Sequence, residues 1–136
     1  EDDSALVQEL LDCMQRHGAD FTNTFRDLAS GSSPKASMYQ TLDFKQWFKR
    51  WQARLKRQAE AWEASRRLMN THNPAVIPRN HRVEAALAAA VERADYSVMD
   101  HLLGVLYQPF QDPPEQDGYH LPPPPSDQPY RTFCGT

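Results

Sequence analysis

The 136-residue sequence has few cysteines and no long apolar run. Both features limit the classes of protein to which the chain can belong. Its two cysteines, Cys13 and Cys134, lie near opposite ends without CxxC spacing. This pattern argues against a disulfide framework or a zinc knuckle and favours a reducing compartment, the cytoplasm. The most apolar windows, such as Val83 to Val91, contain charged residues and fall short of the roughly 20 residues that cross a bilayer. We therefore expect a soluble chain with no membrane partner.

The common signatures of enzymes are also missing: the sequence has no GxGxxG, GxxxxGK[ST], HExxH, GxSxG, HRD or DFG motif. Without a phosphate-binding loop of a familiar kind, the chain is not expected to bind ATP by itself. We predict no catalytic, cofactor-binding or metal-binding residue. The five histidines are expected to be surface or capping residues with no His or Cys partner at metal-ligand spacing, namely His17, His72, His81, His101 and His120.

Bulk composition is that of an ordinary globular protein. The chain is 40% apolar and 24% charged with a formal net charge of −3, which argues against wholesale disorder. Because the balance is acidic and no docking motif is present, nucleic acid is not expected as a partner. The length favours one hydrophobic core. The first residue is Glu1 without a leader pattern, so we expect the chain to start at a processing or cloning boundary.

Apolar residues recur at helical spacing through most of the chain, which predicts an all-α fold, a small helical bundle. A first helix is predicted from about Ser4 to His17, ended by Gly18, with Cys13 buried on its apolar face. A second is predicted to begin at Asp20 or Thr22 and to end before a flexible loop, Ser30-Gly31-Ser32-Ser33-Pro34.

The longest predicted element is a central helix from Asp43 to about Met69 that is both aromatic and basic. Between Lys45 and Arg67 it has eight basic residues and two acidic ones, which we interpret as a solvated face. A surface for phosphate or an acidic partner is the alternative. Trp51 and Trp62 are predicted to be buried. The apolar stripe consists of Phe44, Trp47, Phe48, Trp51, Leu55, Ala59, Trp62 and Met69.

The second half of the chain is predicted to contain two further helices and a tail. Residues 70–80 are expected to run extended along the surface, with Asn80 capping a helix that begins near His81. Asp95 is predicted to cap a last helix, packed antiparallel to the one before it. The predicted domains are a helical domain, 1–107, and an irregular proline-rich C-terminal tail, 108–136. The small-residue face of the first of these helices is Val83, Ala86, Leu87, Ala90 and Val91.

The tail ends in Tyr130-Arg131-Thr132-Phe133-Cys134-Gly135-Thr136, which places a cysteine three residues from the terminus. Cys134 is expected to be accessible, and thiolate reactivity depends on access and pKa. From the residues alone, a redox role for Cys134 and an inert tail both remain open.

Four strings in this order resemble the C-terminal region of the selenoprotein O family. They are Asp20-Phe21-Thr22-Asn23-Thr24-Phe25-Arg26, the Phe44 to Trp51 segment followed by Arg54-Leu55, Asn73-Pro74 with Ile77-Pro78-Arg79-Asn80-His81 and Val83-Glu84, and the ending from Tyr130 to Thr136. The resemblance spans nearly the whole chain.

This resemblance implies a longer parent protein with a kinase-like fold, a pseudokinase that moves AMP from ATP onto hydroxyl side chains of protein substrates with a divalent metal such as Mg. The family's nucleotide and metal residues lie upstream, so none is carried over to this chain. Cys134 occupies the place of the family's selenocysteine, as in bacterial cysteine-containing members. The resemblance further implies a redox disulfide from this terminal region to the kinase-like core of the same parent chain.

Two hypotheses from different classes follow. The first is the C-terminal helical region of a selenoprotein O-like adenylyltransferase, with a structural and redox role and no catalytic site of its own. The second is a stand-alone helical protein-interaction module that recruits a partner through its aromatic helix or its proline-rich tail. Separated from its core, the chain is expected to expose the surface that met the core and to self-associate there through the stripe of Trp47, Trp51 and Trp62.

Overall fold

The computed structural model describes residues 3–30, 37–114 and 117–125. Within these residues the chain forms α-helices and one short 3₁₀ helix, and no strand, which confirms the all-α prediction. None of the described helices is long and apolar enough to cross a membrane. The elements in order are α1 (Asp3–His17), α2 (Phe21–Ser30), the 3₁₀ helix (Ser37–Gln40), α3 (Leu42–Leu55), α4 (Trp62–His72), α5 (Asn80–Arg93) and α6 (Ser97–Leu106).

The chain divides into two compact units, residues 1–73 and 74–136, and each is described by itself. The predicted boundary between a helical domain and a tail after residue 107 stays a prediction. The predicted loop at Ser30 to Pro34 falls mostly on residues 31–36, and the terminal cysteine motif falls on 126–136, so both lie outside the described residues.

In the first unit, α1 and α2 begin and end close to where the sequence predicts. Gly18 ends α1 with φ +58°, a left-handed conformation that glycine adopts without steric cost. In this unit α1 packs against α3 and the 3₁₀ helix, and α2 packs against α4. Cys13 is 2% exposed, as expected for a thiol on the apolar face. The core comprises Leu6, Leu10, Cys13, Met14, Leu28, Met38, Tyr39, Phe44 and Trp47.

The single long helix predicted from Asp43 to Met69 is wrong, because the chain leaves the helix after Leu55 and re-enters it at Trp62. A helix of that length would extend roughly 40 Å, more than the diameter of a small domain. The break allows α4 to pack on α2, where the Arg26 guanidinium donates to the carbonyl oxygens of Asn70 and Asn73 at 3.1 and 3.2 Å. Packing therefore outweighs a continuous helical pattern that contains no glycine or proline.

The prediction that Trp51 and Trp62 are buried is also wrong. Trp62 is 38% exposed and Trp51 is only partly buried, whereas Trp47 is 4% exposed. The Trp47 indole Nε1 donates to the carbonyl oxygen of Leu6 at 2.8 Å, so its polar atom is satisfied inside the core. The aromatic stripe is therefore buried at its start and exposed at its end.

The second unit pairs α5 with α6 around small side chains. Its buried residues are Ala75, Val76, Arg79, Ala86, Ala89, Leu102 and Gly118. The predicted small-residue face is partly wrong, because Val91 is 84% exposed and Leu87 is 49% exposed. The predicted extended surface path of residues 70–80 is also wrong in part. Residues 73–79 are non-helical, but α4 continues to His72, and Ala75 and Val76 are buried.

Capping in this unit follows the prediction at one helix and departs from it at the other. Asp95 accepts hydrogen bonds from the backbone N–H and the hydroxyl of Ser97, the first residue of α6, at 3.0 and 2.6 Å, although Tyr96 holds the capping position itself. Asn80 is instead the first residue of α5, which has Arg79 at the capping position without a side-chain cap.

The described part of the tail has no α-helix or strand, and a turn around Gly118 is held against α5 by arginines. Arg79 donates to the carbonyl oxygen of His120, and Arg82 donates to that of Gly118, both at 2.9 Å. The Arg82 guanidinium also lies 5.2 Å from the centre of the Tyr119 ring. Gly118 has φ +59°, and a Cβ there would lie 3.2 Å from Arg82 Nη2, so glycine suits this turn.

Candidate functional site

A row of four aromatic side chains on α3 leads from the core of the first unit to its surface. Phe44, Trp47, Phe48 and Trp51 lie three and four residues apart, so successive turns of the helix bring their rings together. Neighbouring ring centres are 5.4 to 5.9 Å apart. Trp62, at the start of α4, meets Trp51 edge-on at 6.2 Å. The rings therefore form one continuous aromatic row that is buried at Phe44 and Trp47 and reaches the surface at Trp62.

The exposed end of this row forms one wall of an open groove with a volume of about 960 Å³. We call it the aromatic groove, and it lies entirely within the first unit. Three exposed lysines stand along it, Lys45, Lys49 and Lys56, with Asp27 and Glu60 as its acidic residues. An apolar floor with a mainly basic rim suits an apolar partner that carries acidic residues.

Two of the predicted basic residues do not contribute to a free basic face, because they pair with α1. Arg54 donates to both carboxylate oxygens of Asp3, through Nε at 2.7 Å and Nη2 at 2.9 Å. Arg50 pairs with Glu9. These contacts join α3 to α1 and leave the lysines, rather than the arginines, along the groove.

A second cluster lies where the C-terminal part of α1 meets the first turn of α3. The Asp43 Oδ2 atom lies 3.1 Å from His17 Nε2, 3.2 Å from Arg16 Nη2 and 3.7 Å from Cys13 Sγ. Its Oδ1 atom accepts a hydrogen bond from the backbone N–H of Phe44 at 3.0 Å. One carboxylate thus gathers a thiol, an imidazole and a guanidinium.

These contacts shift two pKa values in opposite directions. Hydrogen bonds from Thr41 and then His17 hold the pKa of Asp43 well below its usual range, so this carboxyl is ionised. Burial, and then the negative charge of Asp43, raises the pKa of the Cys13 thiol. Cys13 is therefore a protonated thiol that donates to Asp43, and it is not primed as a nucleophile.

This cluster is not among the sites predicted from the sequence, although two of its residues share a visible helical spacing. Cys13 and His17 are four residues apart on one helix, so the expectation that no histidine has a cysteine partner at ligand spacing is wrong for His17. Asp43 lies 26 residues beyond His17, and only the packing of α3 on α1 brings it there. No local pattern predicts that contact.

Cys134, the one site residue predicted from the sequence, lies outside the described residues. Its redox role stays a prediction. Within the described residues Cys13 is a free, buried cysteine.

Comparison with known proteins agrees with the resemblance seen in the sequence. The family model described as protein adenylyltransferase SelO matches residues 1–107. A protein nucleotidyltransferase YdiU from Syntrophotalea carbinolica is 57% identical over 98% of this chain and 27% of that relative. Relatives of the same name from Alkaliphilus metalliredigens and Bacillus anthracis are 54% and 48% identical, over 98% and 100% of this chain and 27% and 28% of their own lengths.

The chain therefore spans little more than a quarter of the length of the curated relatives it matches. The family match covers α1 to α6, which include the aromatic groove and the Asp43 cluster. On these grounds the chain belongs to the protein adenylyltransferase SelO family.

Proposed function

We propose that this chain is the C-terminal helical region of a longer protein adenylyltransferase, which transfers AMP from ATP to hydroxyl side chains of other proteins with a divalent metal such as Mg. In this proposal the chain supports a kinase-like core and holds neither ATP nor metal for the transfer. The observation that carries it is the 57% identity over 98% of the chain to a relative nearly four times longer. The sequence has no phosphate-binding motif, which supports the proposal that ATP and metal bind to the core and not to this chain.

The aromatic groove is the surface we propose for contact with the core. Exposed apolar clusters rimmed by polar residues commonly mark protein contacts. The length of the relatives implies several hundred further residues, for which Trp62, Leu42 and the partly buried Trp51 offer a ready contact surface. Lysines at the rim suit an acidic region of the core.

A chimera tests the proposal directly. The matching quarter of the Syntrophotalea carbinolica relative is replaced by this chain, and transfer of labelled AMP to protein is measured with ATP and Mg. We expect the chimera to label protein and the chain alone not to. Trp62→Ala should reduce labelling by the chimera, whereas Leu68→Ala should not, because Leu68 is an exposed residue of the same helix outside the groove.

Two results would contradict this. An inactive chimera beside an active relative would show that the chain cannot replace the matching region. Equal activity of the Trp62→Ala and Leu68→Ala chimeras would remove the groove as the contact surface while leaving the adenylyltransferase role in place.

We propose further that Cys134 forms a redox disulfide with the core of the parent protein in a reducing compartment, the cytoplasm. Two thiols lose two protons and two electrons to a thiol oxidant such as oxidised glutathione, and one S–S bond forms. In the chimera, Cys134→Ser should abolish an oxidation-dependent shift in gel mobility that Cys13→Ser preserves, because Cys13 is buried. A shift that survives Cys134→Ser would refute the disulfide.

The aromatic groove also favours the second candidate function, a stand-alone interaction module. That function requires the chain alone to bind an apolar acidic peptide through the groove. Titration of such peptides into the chain, followed by tryptophan fluorescence, would show saturable binding that Trp62→Ala weakens and Leu68→Ala does not.

A further inference from the structure

We propose that Cys13, His17 and Asp43 form a zinc-binding site at the junction of α1 and α3. The site is separate from the aromatic groove and independent of the proposed adenylyltransferase role. It provides one sulfur, one nitrogen and one oxygen ligand, a donor set that zinc accepts with a water molecule as the fourth ligand.

The spacing of the ligand atoms suits a tetrahedral ion. Their three atoms lie within 4.8 Å of one another. Edges of a tetrahedral zinc site with these ligands measure roughly 3.3 to 3.6 Å. The Asp43 Oδ2 atom lies 3.1 Å from His17 Nε2 and 3.7 Å from Cys13 Sγ, so two edges already approach those lengths.

One of the three ligand side chains is held in the core, and the other two are accessible from the solvent. Cys13 is fixed in the core, 2% exposed, while the side chains of His17 and Asp43 are 29% and 33% exposed. An ion can therefore enter from the solvent side, where His17 can shift to close the remaining distance to the sulfur. The backbone N–H of Phe44 holds the other carboxylate oxygen at 3.0 Å, which orients Asp43 from the outer shell.

Charge and proton balance are consistent with binding. The S–H bond of Cys13 breaks and its proton leaves to solvent, one bond forms from zinc to each ligand atom, and no electron is transferred. The thiolate and the carboxylate together neutralise the ion, and neutral His17 adds no charge. Arg16, which now contacts the same carboxylate oxygen, must move away. Its side chain is 60% exposed, so it can turn into solvent.

Cobalt(II) is the probe, because a thiolate ligand gives it a charge-transfer absorption band in the near ultraviolet. We expect the full chain to show this band on addition of Co²⁺ and to lose it when Zn²⁺ displaces the cobalt. Cys13→Ser should abolish the band and Cys134→Ser should preserve it. Circular dichroism of each variant establishes that it is folded.

Two surface variants keep the test valid if Cys13→Ser does not fold. His17→Gln should weaken zinc binding more than about 10-fold, because even outer-shell changes at zinc sites cost 10- to 100-fold. The matched control, His72→Gln on α4, should bind zinc as the unsubstituted chain does. Arg16→Gln should strengthen zinc binding, because it removes the competing cation from Asp43.

Absence of the thiolate band would overturn the proposal. A band that persists in Cys13→Ser and disappears in Cys134→Ser would also overturn it, by assigning the metal to the tail. Zinc affinity that neither His17→Gln nor Arg16→Gln changes would show that the cluster only joins α1 to α3.

Discussion

The two compact units of this chain bury side chains of very different size. The first surrounds bulky residues, among them Met38, Tyr39, Phe44 and Trp47. The second buries alanines and one valine, with Leu102 as its largest buried apolar residue. Because hydrophobic stabilisation scales with apolar area at about 25 cal/mol per Å², the average buried residue contributes more in the first unit than in the second.

Both units also contain hydrogen bonds from arginine to backbone carbonyl oxygens, and in the first unit one such donor is Arg26. In the second unit, Arg79 is buried and donates to a carbonyl of the tail, and Arg82 does so beside it. A core of alanines allows the helices to approach closely but leaves less apolar area to bury. Hydrogen bonds from Arg79 and Arg82 to backbone carbonyl oxygens hold the turn around Gly118. We therefore expect the stability of the first unit to be sensitive to lost side-chain volume, and that of the second to added volume and to the loss of hydrogen-bond donors.

The largest effect is expected in the aromatic core. Trp47→Ala should lower the free energy of unfolding by about 3 to 5 kcal/mol, because it leaves a cavity and removes the donor to Leu6. Trp62→Ala, which removes an exposed ring, should cost less than about 1.5 kcal/mol. Chemical denaturation of both variants measures the difference. Equal losses would mean that the aromatic row acts as one buried unit and would erase the contrast between its two ends.

Removal of an arginine donor should come next. Arg79→Met keeps the apolar stem but loses the bond to the His120 carbonyl, at a cost of about 1.5 to 3 kcal/mol. Hydrogen exchange of residues 117–121 should become faster as the turn is released. Arg93→Met, at the exposed end of the same helix, is the control and should leave that exchange unchanged. Unaltered exchange in Arg79→Met would show that Arg82 alone holds the turn.

Enlarging a buried alanine tests the second unit from the opposite direction. Ala89 is 0% exposed, so Ala89→Leu should destabilise the chain by about 1 to 3 kcal/mol through overpacking. Ala85→Leu makes the same change at an exposed position of α5 and should be nearly neutral. If Ala89→Leu were neutral as well, the space around Ala89 would accommodate a larger side chain, and a small residue would not be required at that position of α5.

The smallest effect concerns the cap of α6 and depends on pH. Hydrogen bonds from Ser97 lower the pKa of Asp95, so its stabilisation is complete above the unfolded pKa of about 4 and is lost as the pH falls through the lower folded value. The stability difference between the unsubstituted chain and Asp95→Asn should therefore shrink below about pH 4. Asp100→Asn on the same helix serves as control. A difference that stays constant into acid would mean that the amide caps as well as the carboxylate.

Local signals in the sequence were sufficient to predict the positions of α1, α2, α5 and α6. Helical periodicity, the stop at Gly18 and the cap at Asp95 act within a few residues, so each is readable without the fold. The family could also be recognised from the sequence, because the four strings that resemble it are contiguous and occur in the same order. In the first unit, burial of Cys13 followed from its place on an apolar stripe.

Contacts between residues far apart in the sequence could not be predicted from it. These contacts decided the helix break, the burial of the tryptophans and the Asp43 cluster. The helix break after Leu55 contains no breaker residue and exists because α4 gains packing on α2. Which tryptophan is buried depends on where α1 lies, and Asp43 meets His17 and Cys13 only when α3 docks on α1. The sequence by itself determined the family and the helices α1, α2, α5 and α6, since these depend on neighbours along the chain. Tertiary structure alone decided which side chains share a site, because that depends on packing between helices that periodicity does not encode.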